Sequence, residues 1–295
     1  MRNREPPSRR RQSKARHPGV VGGGISPFVL IKGAGEMASA VAWRLYMANM
    51  RRICMLELDR PLCVRRRVSY CVALEAGETS VEGVAARAAR NRREIAAAWR
   101  SGTIAVVRTT DWERLRGAAP DVVVDAILAK HNTGTRSVDA PLVIALGPGF
   151  SAGVDCHMVI ETNRGHDLGR IILAGPAAPD TGRPGEIAGY AAERVLRSPA
   201  TGQFVSGHEI GQRIRKGETV GRVGQAPVVA PLDGMLRGLI ASGTEVRPGL
   251  KVGDIDPRGR TEYCDSISDK ARAIAGAVLE GVLRHVNRPH APARC

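Results

Sequence analysis

Residues 28–57 place the strongest constraint on the fold. An apolar run, Phe28-Val29-Leu30-Ile31, leads into Lys32 and then Gly33-Ala34-Gly35-Glu36-Met37-Ala38. A helical pattern follows through Asn49, and residues 53–57 form a second apolar run. The spacing is G-x-G-x-x-[GA], with Ala38 in place of the third glycine. Glycine here permits a tight turn and close backbone approach, and leaves a helix N-terminus free to meet an anion. The acid expected about 20 residues further on is Glu57, with Asp59 just beyond. These features predict a strand, a helix and a parallel strand. Whether the turn holds a dinucleotide, another phosphate-bearing ligand or nothing stays open, because fold does not decide function.

The remainder of the chain bounds the protein class. Its 295 residues suffice for about two domains. Aromatics make up only 3%, so the core must be Val, Ile, Leu and Ala, which suits parallel sheet covered by helices. No window approaches the roughly 20 apolar residues of a membrane span, and the N-terminus lacks an apolar signal segment. The expectation is a cytoplasmic protein with no membrane contact. The formal charge is +15, but seven basic residues against Glu5 fall within residues 1–27, read as a disordered basic tail. Elsewhere Arg and Glu interleave without the aromatic partners used in single-strand binding, so no nucleic acid is expected. Cys54, Cys63, Cys71, Cys156, Cys264 and Cys295 show no CxxC pair or zinc spacing and read as thiols. No metal site is assigned, since turn chemistry accounts for Asp254 and Asp256.

Chemistry-bearing residues gather where strands should surface. Gly147-Pro148-Gly149-Phe150 is a tight turn after an apolar run. Residues 154–160 read as a strand that emerges into Glu161, Thr162, Asn163, Arg164, Gly165 and His166. The strand over 122–127 emerges at Lys130 and Asn132, toward the same rim as the glycine turn, because ligands in open α/β sheets lie beyond the strands' carboxyl ends. Arg65-Arg66-Arg67 reads either as a solvated loop or as a phosphate clamp. Cys156 and His157 are adjacent on a strand and face opposite sides, so they form no catalytic pair. No catalytic residue is assigned.

Residues 186–197 are predicted as a helix ended by Ser198-Pro199. From 202 the pattern becomes short apolar pairs between glycine turns, which marks an all-β unit. Its two halves echo each other around Lys216-Gly217-Glu218 and Pro248-Gly249-Leu250. It looks like a barrel-sandwich hybrid of the biotinyl/lipoyl type. Val223-Gly224-Gln225-Ala226 stands where a carrier would present its modified lysine, which argues against a swinging arm. A final helix is expected over 271–285, capped by Ser268 or Ser266. The expected fold class is therefore α/β: a Rossmann-like parallel-sheet domain over 28–200, a barrel-sandwich hybrid over 201–258, and a C-terminal helix and tail over 259–295.

Several motifs in one order carry a resemblance. They are Ile31 to Ala38, Glu57 to Pro61 with Arg66-Arg67-Val68, Gly147 to Phe150, Ile160 to His166, and Gly253-Asp254-Ile255-Asp256-Pro257-Arg258 with Ile267 to Ala271. Over about residues 28–285 the chain resembles the selenium-dependent molybdenum hydroxylase maturation proteins (YqeB family), relatives of the XdhC-type xanthine dehydrogenase accessory factors. Gly35-Glu36 stands where such families usually show Gly-Asp, and the position of Cys71 argues against sulfur transfer by that residue. The resemblance implies an accessory protein, rather than a classical enzyme, that binds or hands over molybdenum cofactor. Implied partners are a xanthine dehydrogenase-like molybdenum hydroxylase, a sulfur or selenium donor protein and a second copy in a homodimer. The candidate cofactor-binding set is Gly33, Gly35, Glu36, Ala38, Glu57, Arg66, Arg67, Lys130, Asn132, Gly147, Gly149, Glu161, Arg164 and His166. Two alternatives remain: an NAD(P)-dependent oxidoreductase with His166 or Lys130 as acid/base, and a non-catalytic docking protein for a molybdenum enzyme.

Overall fold

A computed structural model describes residues 26–115, 119–182 and 185–287. The expected tail over 1–27 lies almost wholly outside these residues. Ten strands precede residue 175, and with an eleventh they build a large and a minimal sheet in the first part of the chain. They are β1 (Val29–Lys32), β2 (Ile53–Glu57), β3 (Glu78–Val81), β4 (Val84–Ala88), β5 (Ile104–Arg108), β6 (Val122–Asp125), β7 (Leu142–Leu146), β8 (Ser151–Ala152), β9 (Met158–Ile160) and β10 (Ile171–Ile172). The large sheet runs β10-β9-β7-β6-β1-β2-β5-β4-β3. Its inner pairs are parallel, while β10 on β9 and β3 on β4 are antiparallel. β8 pairs instead with β11 (Gly175–Pro176) in a two-stranded sheet.

The central strands are apolar almost throughout because both faces are covered. Helix α1 (Glu36–Met47) buries Ala38, Ala40, Val41, Ala42 and Leu45 in the core on one face. Helix α3 (Asp269–Val286) joins α1 there, burying Ile274, Ala275, Val278 and Val282. A side chain at Gly281 would meet Ile144 and Met158 at 3.1 Å, so the glycine lets α3 sit close on β7 and β9. Ser268 is the cap of α3, its hydroxyl accepting from Ala271 N at 3.3 Å. On the other face α2 (Arg92–Arg100) buries Ile95 and Ala98, and Phe28 packs edge-on to Trp99 at 5.2 Å.

Beyond residue 194 the chain builds two four-stranded antiparallel sheets. The first, β12-β19-β17-β14, joins Val195–Arg197, Lys251–Asp256, Gly234–Leu239 and Arg213–Ile214. The second, β16-β15-β13-β18, joins Ala226–Val229, Thr219–Val223, Gly202–Val205 and Thr244–Val246. They share a core centred on Phe204, Leu236, Val252 and Ile255.

The fold is thus mixed α/β with strands distributed over four sheets. This corrects the expected Rossmann-like parallel sheet followed by a barrel-sandwich hybrid and a separate terminal helix. The glycine-turn unit is real over residues 29–57, but the pattern it predicts does not propagate. After β6 the connection to β7 passes through the turn residues Asn132 and Gly134 and carries only a 3-10 turn at Ser137–Asp139. A helix from residues 269–286 packs on α1 beside that part of the sheet, where a crossover helix would be expected.

Two element assignments are also corrected. Residues 186–197 form no helix. Ile187 bridges Tyr190, Ala192–Arg194 is a 3-10 turn, and β12 pairs with β19. Gly189, at φ +84°, interrupts a helical path, and Arg194 is drawn to the buried Asp254. The strand expected over 154–160 is confined to Met158–Ile160.

The β-rich part is tied to the first by residues 64–67. Val64 O accepts from Leu239 N at 2.8 Å, and Arg66 Nε donates to Leu239 O at 2.9 Å. Arg65 is almost fully buried and reaches Glu36 at 3.2 Å and the carbonyls of Tyr263 and Ser266 at 2.9 and 3.1 Å.

Candidate functional site

The loops after β6, β7 and β9 converge on a cleft of about 560 Å³. Lys130, Pro148, Thr162, Asn163, Arg164, Asp180, Arg197 and Lys270 are among its lining residues. Its construction explains the Gly147-Pro148-Gly149 turn. Gly149 lies at φ +103°, and a Cβ there would stand 2.6 Å from His131 Cα. The loop after β7 therefore crosses directly over the backbone of the loop after β6. Gly147, at φ +75°, rests against the Thr162 side chain. Lys130 itself is held at φ +68°, a conformation that costs a non-glycine residue about 1–2 kcal/mol. Such strain is commonly retained where a side chain serves a site.

That cost gives a test. Lys130→Gly is expected to raise the unfolding free energy by up to about 1 kcal/mol, and a cleft that takes up inorganic phosphate through Lys130 should then bind it more weakly. Urea titration and calorimetry on one sample would separate the two effects. A variant that loses stability and keeps its phosphate affinity would show Lys130 to be structural only.

The cleft is rich in cations. Arg164 donates to Asp269 through two bonds of 2.6 and 3.0 Å, and the bonded guanidinium holds the Asp269 carboxyl at about 2. Lys130 Nζ lies 3.7 Å from Asp180. Arg197 donates to Gly249 O at 2.8 Å. Lys270 is half-buried at the start of α3. Burial pushes its ammonium below the usual lysine range, with Lys130 and Arg164 adding to the effect, and Glu36 and Asp180 opposing it. A second cavity of about 450 Å³ shares Arg164 and reaches Arg237, Arg258 and Tyr263.

Of the candidate set, Lys130 and Arg164 line this cleft, and Gly147 and Gly149 shape its wall. Glu161 backs it as a buried strap, accepting from Asn163 N and Ala178 N at 2.7 Å each. Asn132 closes its own turn, accepting from Gly134 N and Thr135 N at 2.8 Å. His166 is exposed and absent from the lining.

The glycine turn is engaged by the chain's own carboxylates. Glu57 accepts from Ala34 N at 2.8 Å and from Leu58 N at 2.7 Å, so the acid expected to meet a ribose sits on the turn instead. Burial raises the Glu57 pKa, and these two amides partly offset the rise. Glu36 Oε1 receives Arg65 and the Ser268 hydroxyl at 3.2 and 3.0 Å. Gly33 is needed for close packing, since a Cβ would approach Ala126 O to 3.1 Å, and Ala38 is buried beneath the turn. Gly35 is the N-cap of α1. Arg66 bonds Leu239 O, and Arg67 pairs with Asp265 at 3.4 Å. None of these residues lines the cleft.

Sequence reasoning missed Asp180, Arg197 and Lys270 as cleft residues. Composition held one signal, because the chain has 38 arginines and only six lysines, two of which face this cavity. It also missed the buried network behind the second cavity. Asp254 is fully buried and pairs with Arg194, with Arg237 at 2.9 Å and with Lys251 at 3.4 Å. Asp256 pairs with Arg258 at 2.6 Å.

Fold and cleft together define a mixed α/β protein with a basic pocket at the carboxyl edge of its main sheet. No family model matches the chain. Over 255 residues, 86% of its length, it is 48% identical to YqeB of Escherichia coli (strain K12), described as an uncharacterized protein. The match covers 47% of that protein, so the chain spans about half the length of the curated relative.

Structural likenesses are slight. An aspartoacylase family protein from Mesorhizobium loti is 13% identical, with a TM-score of 0.24 over 78% of this chain and 84% of that one. A succinylglutamate desuccinylase from Silicibacter sp. is 15% identical, with a TM-score of 0.23 over 78% and 84%. The ectoine utilization protein EutE (DoeB) from Ruegeria pomeroyi is 12% identical, with a TM-score of 0.22 over 77% and 56%. Likeness at this level carries no argument about activity.

Proposed function

We propose that the chain is an accessory protein in the maturation of a molybdenum hydroxylase, of the selenium-dependent kind, and that it holds the cofactor by its phosphate. The observation that carries this reading is the cation-lined cleft formed by Lys130, Arg164, Arg197 and Lys270. Guanidinium and ammonium groups at one concave site suit a phosphate monoester. The ordered motifs that resemble the YqeB family support this reading, because the resemblance implies the same process. In this reading the cofactor is cargo, and its metal chemistry belongs to the client enzyme. The chain's contribution is to bind the anionic end and shield it between β6, β9 and α3. The glycine turn serves the fold, its Ala34 amide being engaged by Glu57.

The test is co-purification. Protein made anaerobically in cells that produce the cofactor should carry pterin and molybdenum, and protein from cofactor-deficient cells neither. A combined Lys130→Ala, Arg164→Ala variant should retain at least about tenfold less pterin, the equivalent of about 1.4 kcal/mol. If the unaltered protein carries neither pterin nor molybdenum, the reading fails.

A further inference from the structure

We propose that Lys270 is a nucleophilic amine and that the cleft accepts a small aldehyde or ketone bearing an anionic group, which Lys270 captures as an imine. The argument begins with the choice of cation. The chain uses arginine for its buried ion pairs, at Arg65, Arg194 and Arg237. An arginine never releases its proton at ordinary pH, whereas a lysine does when burial or like charge disfavours the ammonium. Two of only six lysines line this cavity.

Lys270 differs from the other described lysines of the large-sheet region. Lys32 bonds Thr135 and Asp139 at 2.7 and 3.1 Å, and Lys130 lies beside Asp180 at 3.7 Å. Among the described residues the Lys270 amine has no hydrogen-bond or ion-pair partner within bonding distance. The groups that act on it come from each surrounding element: Lys130 after β6, Arg164 after β9, Asp180 on the covering loop, and Glu36 on α1. Partial burial, and then the like charges of Lys130 and Arg164, work against its ammonium form. Desolvation and a neighbouring cation are the known means of activating a lysine toward carbonyl carbon. Asp269, the residue before it, is already committed to Arg164.

The step balances without an oxidant or reductant. The amine lone pair bonds to the carbonyl carbon, the nitrogen loses two protons, and the carbonyl oxygen departs as water. Arg164 and Arg197 stay charged and hold the anionic substituent. This inference shares the cleft with the function proposed above but does not depend on the identity of the cofactor.

Pyridoxal 5′-phosphate is a suitable probe, being an aldehyde that carries a phosphate. The full chain is incubated with it at neutral pH, reduced with borohydride and mapped by peptide mass. The expected result is one label, on Lys270, suppressed by inorganic phosphate and reduced more than tenfold in Lys270→Arg. Lys130→Met, which removes the neighbouring charge, should slow labelling of Lys270 several-fold at neutral pH, with the far-ultraviolet spectrum unchanged. Label spread over Lys216 and Lys251 as readily as over Lys270 would overturn the inference, as would label on Lys130 alone. Pterin co-purification is read separately. Retained pterin with no Lys270 label sinks only the imine, and label without pterin sinks only the maturation reading.

Discussion

Asp254→Ala is expected to lower the unfolding free energy by about 3–5 kcal/mol, the usual cost of removing one partner from a buried ion pair. Asp254 is fully buried on β19 and receives Arg194 from the 3-10 turn before β12, Arg237 from β17 through bonds of 3.0 and 2.9 Å, and Lys251 at 3.4 Å. Its loss takes the main carboxylate partner from two guanidinium groups almost inaccessible to water, leaving Arg237 with Asp256 at 3.5 Å and Arg194 with Gly185 O at 3.0 Å. Burial works against ionisation of this carboxyl, but Lys251, Arg237, Arg194 and Arg65 more than offset it and hold the pKa below the ordinary aspartate value. A carboxyl depressed in the folded state contributes its stability above its unfolded pKa, about 4, and loses it as pH falls through the folded value. The gap between wild type and variant should therefore be full at pH 7 and shrink in acid. Urea titrations at both pH values measure it, and a gap below about 1 kcal/mol at pH 7 would show the network to be dispensable.

Gly149→Ala should be comparably damaging and should also abolish anion binding. The added methyl would lie 2.6 Å from His131 Cα, 2.7 Å from its nitrogen and 2.8 Å from the Lys130 carbonyl carbon, all of them backbone. Unlike a side-chain tip, that backbone cannot swing away. The left-handed φ of +103° adds its own cost. Together the strain and overpacking amount to about 2–5 kcal/mol, and any relief must displace the segment that presents Lys130. Gly153→Ala is the control, at φ +86° with nothing within 4 Å of the added methyl. It should cost only the conformational part, about 1–2 kcal/mol, and leave phosphate affinity unchanged. Equal losses in both variants would refute the crossed-loop account of the cleft.

Much of the strand pattern was legible because local signals and burial agree. The apolar runs at β1, β2, β5, β6 and β7 are strands buried on both faces, and the glycine spacing marks the start of α1. The legible signals were local, however, and the arrangement of the sheets was not. Residues 186–197 carry helix-forming Ala, Glu, Leu and Arg, yet long-range pairing with β19 and the Arg194–Asp254 contact override that preference.

The candidate site failed in a similar way. A charged residue in sequence announces that it needs a partner without saying which one. Arg66 and Arg67 find theirs about 170 to 200 positions away, on β17 and the segment before α3, and Arg65 divides its bonds between that segment and Glu36, 29 positions back. Glu57 stands where a ribose-binding acid belongs, but a carboxylate at that position can equally bind the turn's own amide. Lys270 was masked by a conventional helix start, Ser268-Asp269-Lys270, and only the scarcity of lysine set it apart.

The bond from the Ser268 hydroxyl to Glu36 joins residues 232 positions apart. It is the visible end of a longer association, the packing of α3 on α1 over the large sheet. During vectorial synthesis β1, α1 and β2 leave the ribosome well before α3, and one flank of their sheet stays bare until α3 has been made. At about 5–20 residues per second that is an interval of roughly 10–50 s. Such an ordering raises contact order and slows the final docking step. The β-rich segment, meanwhile, is bracketed by two contacts that close on either side of it. The earlier-made sheet and the later-made helix therefore complete one another, and a ribosome stalled between residues 256 and 269 would hold an apolar sheet face open to solvent and chaperones.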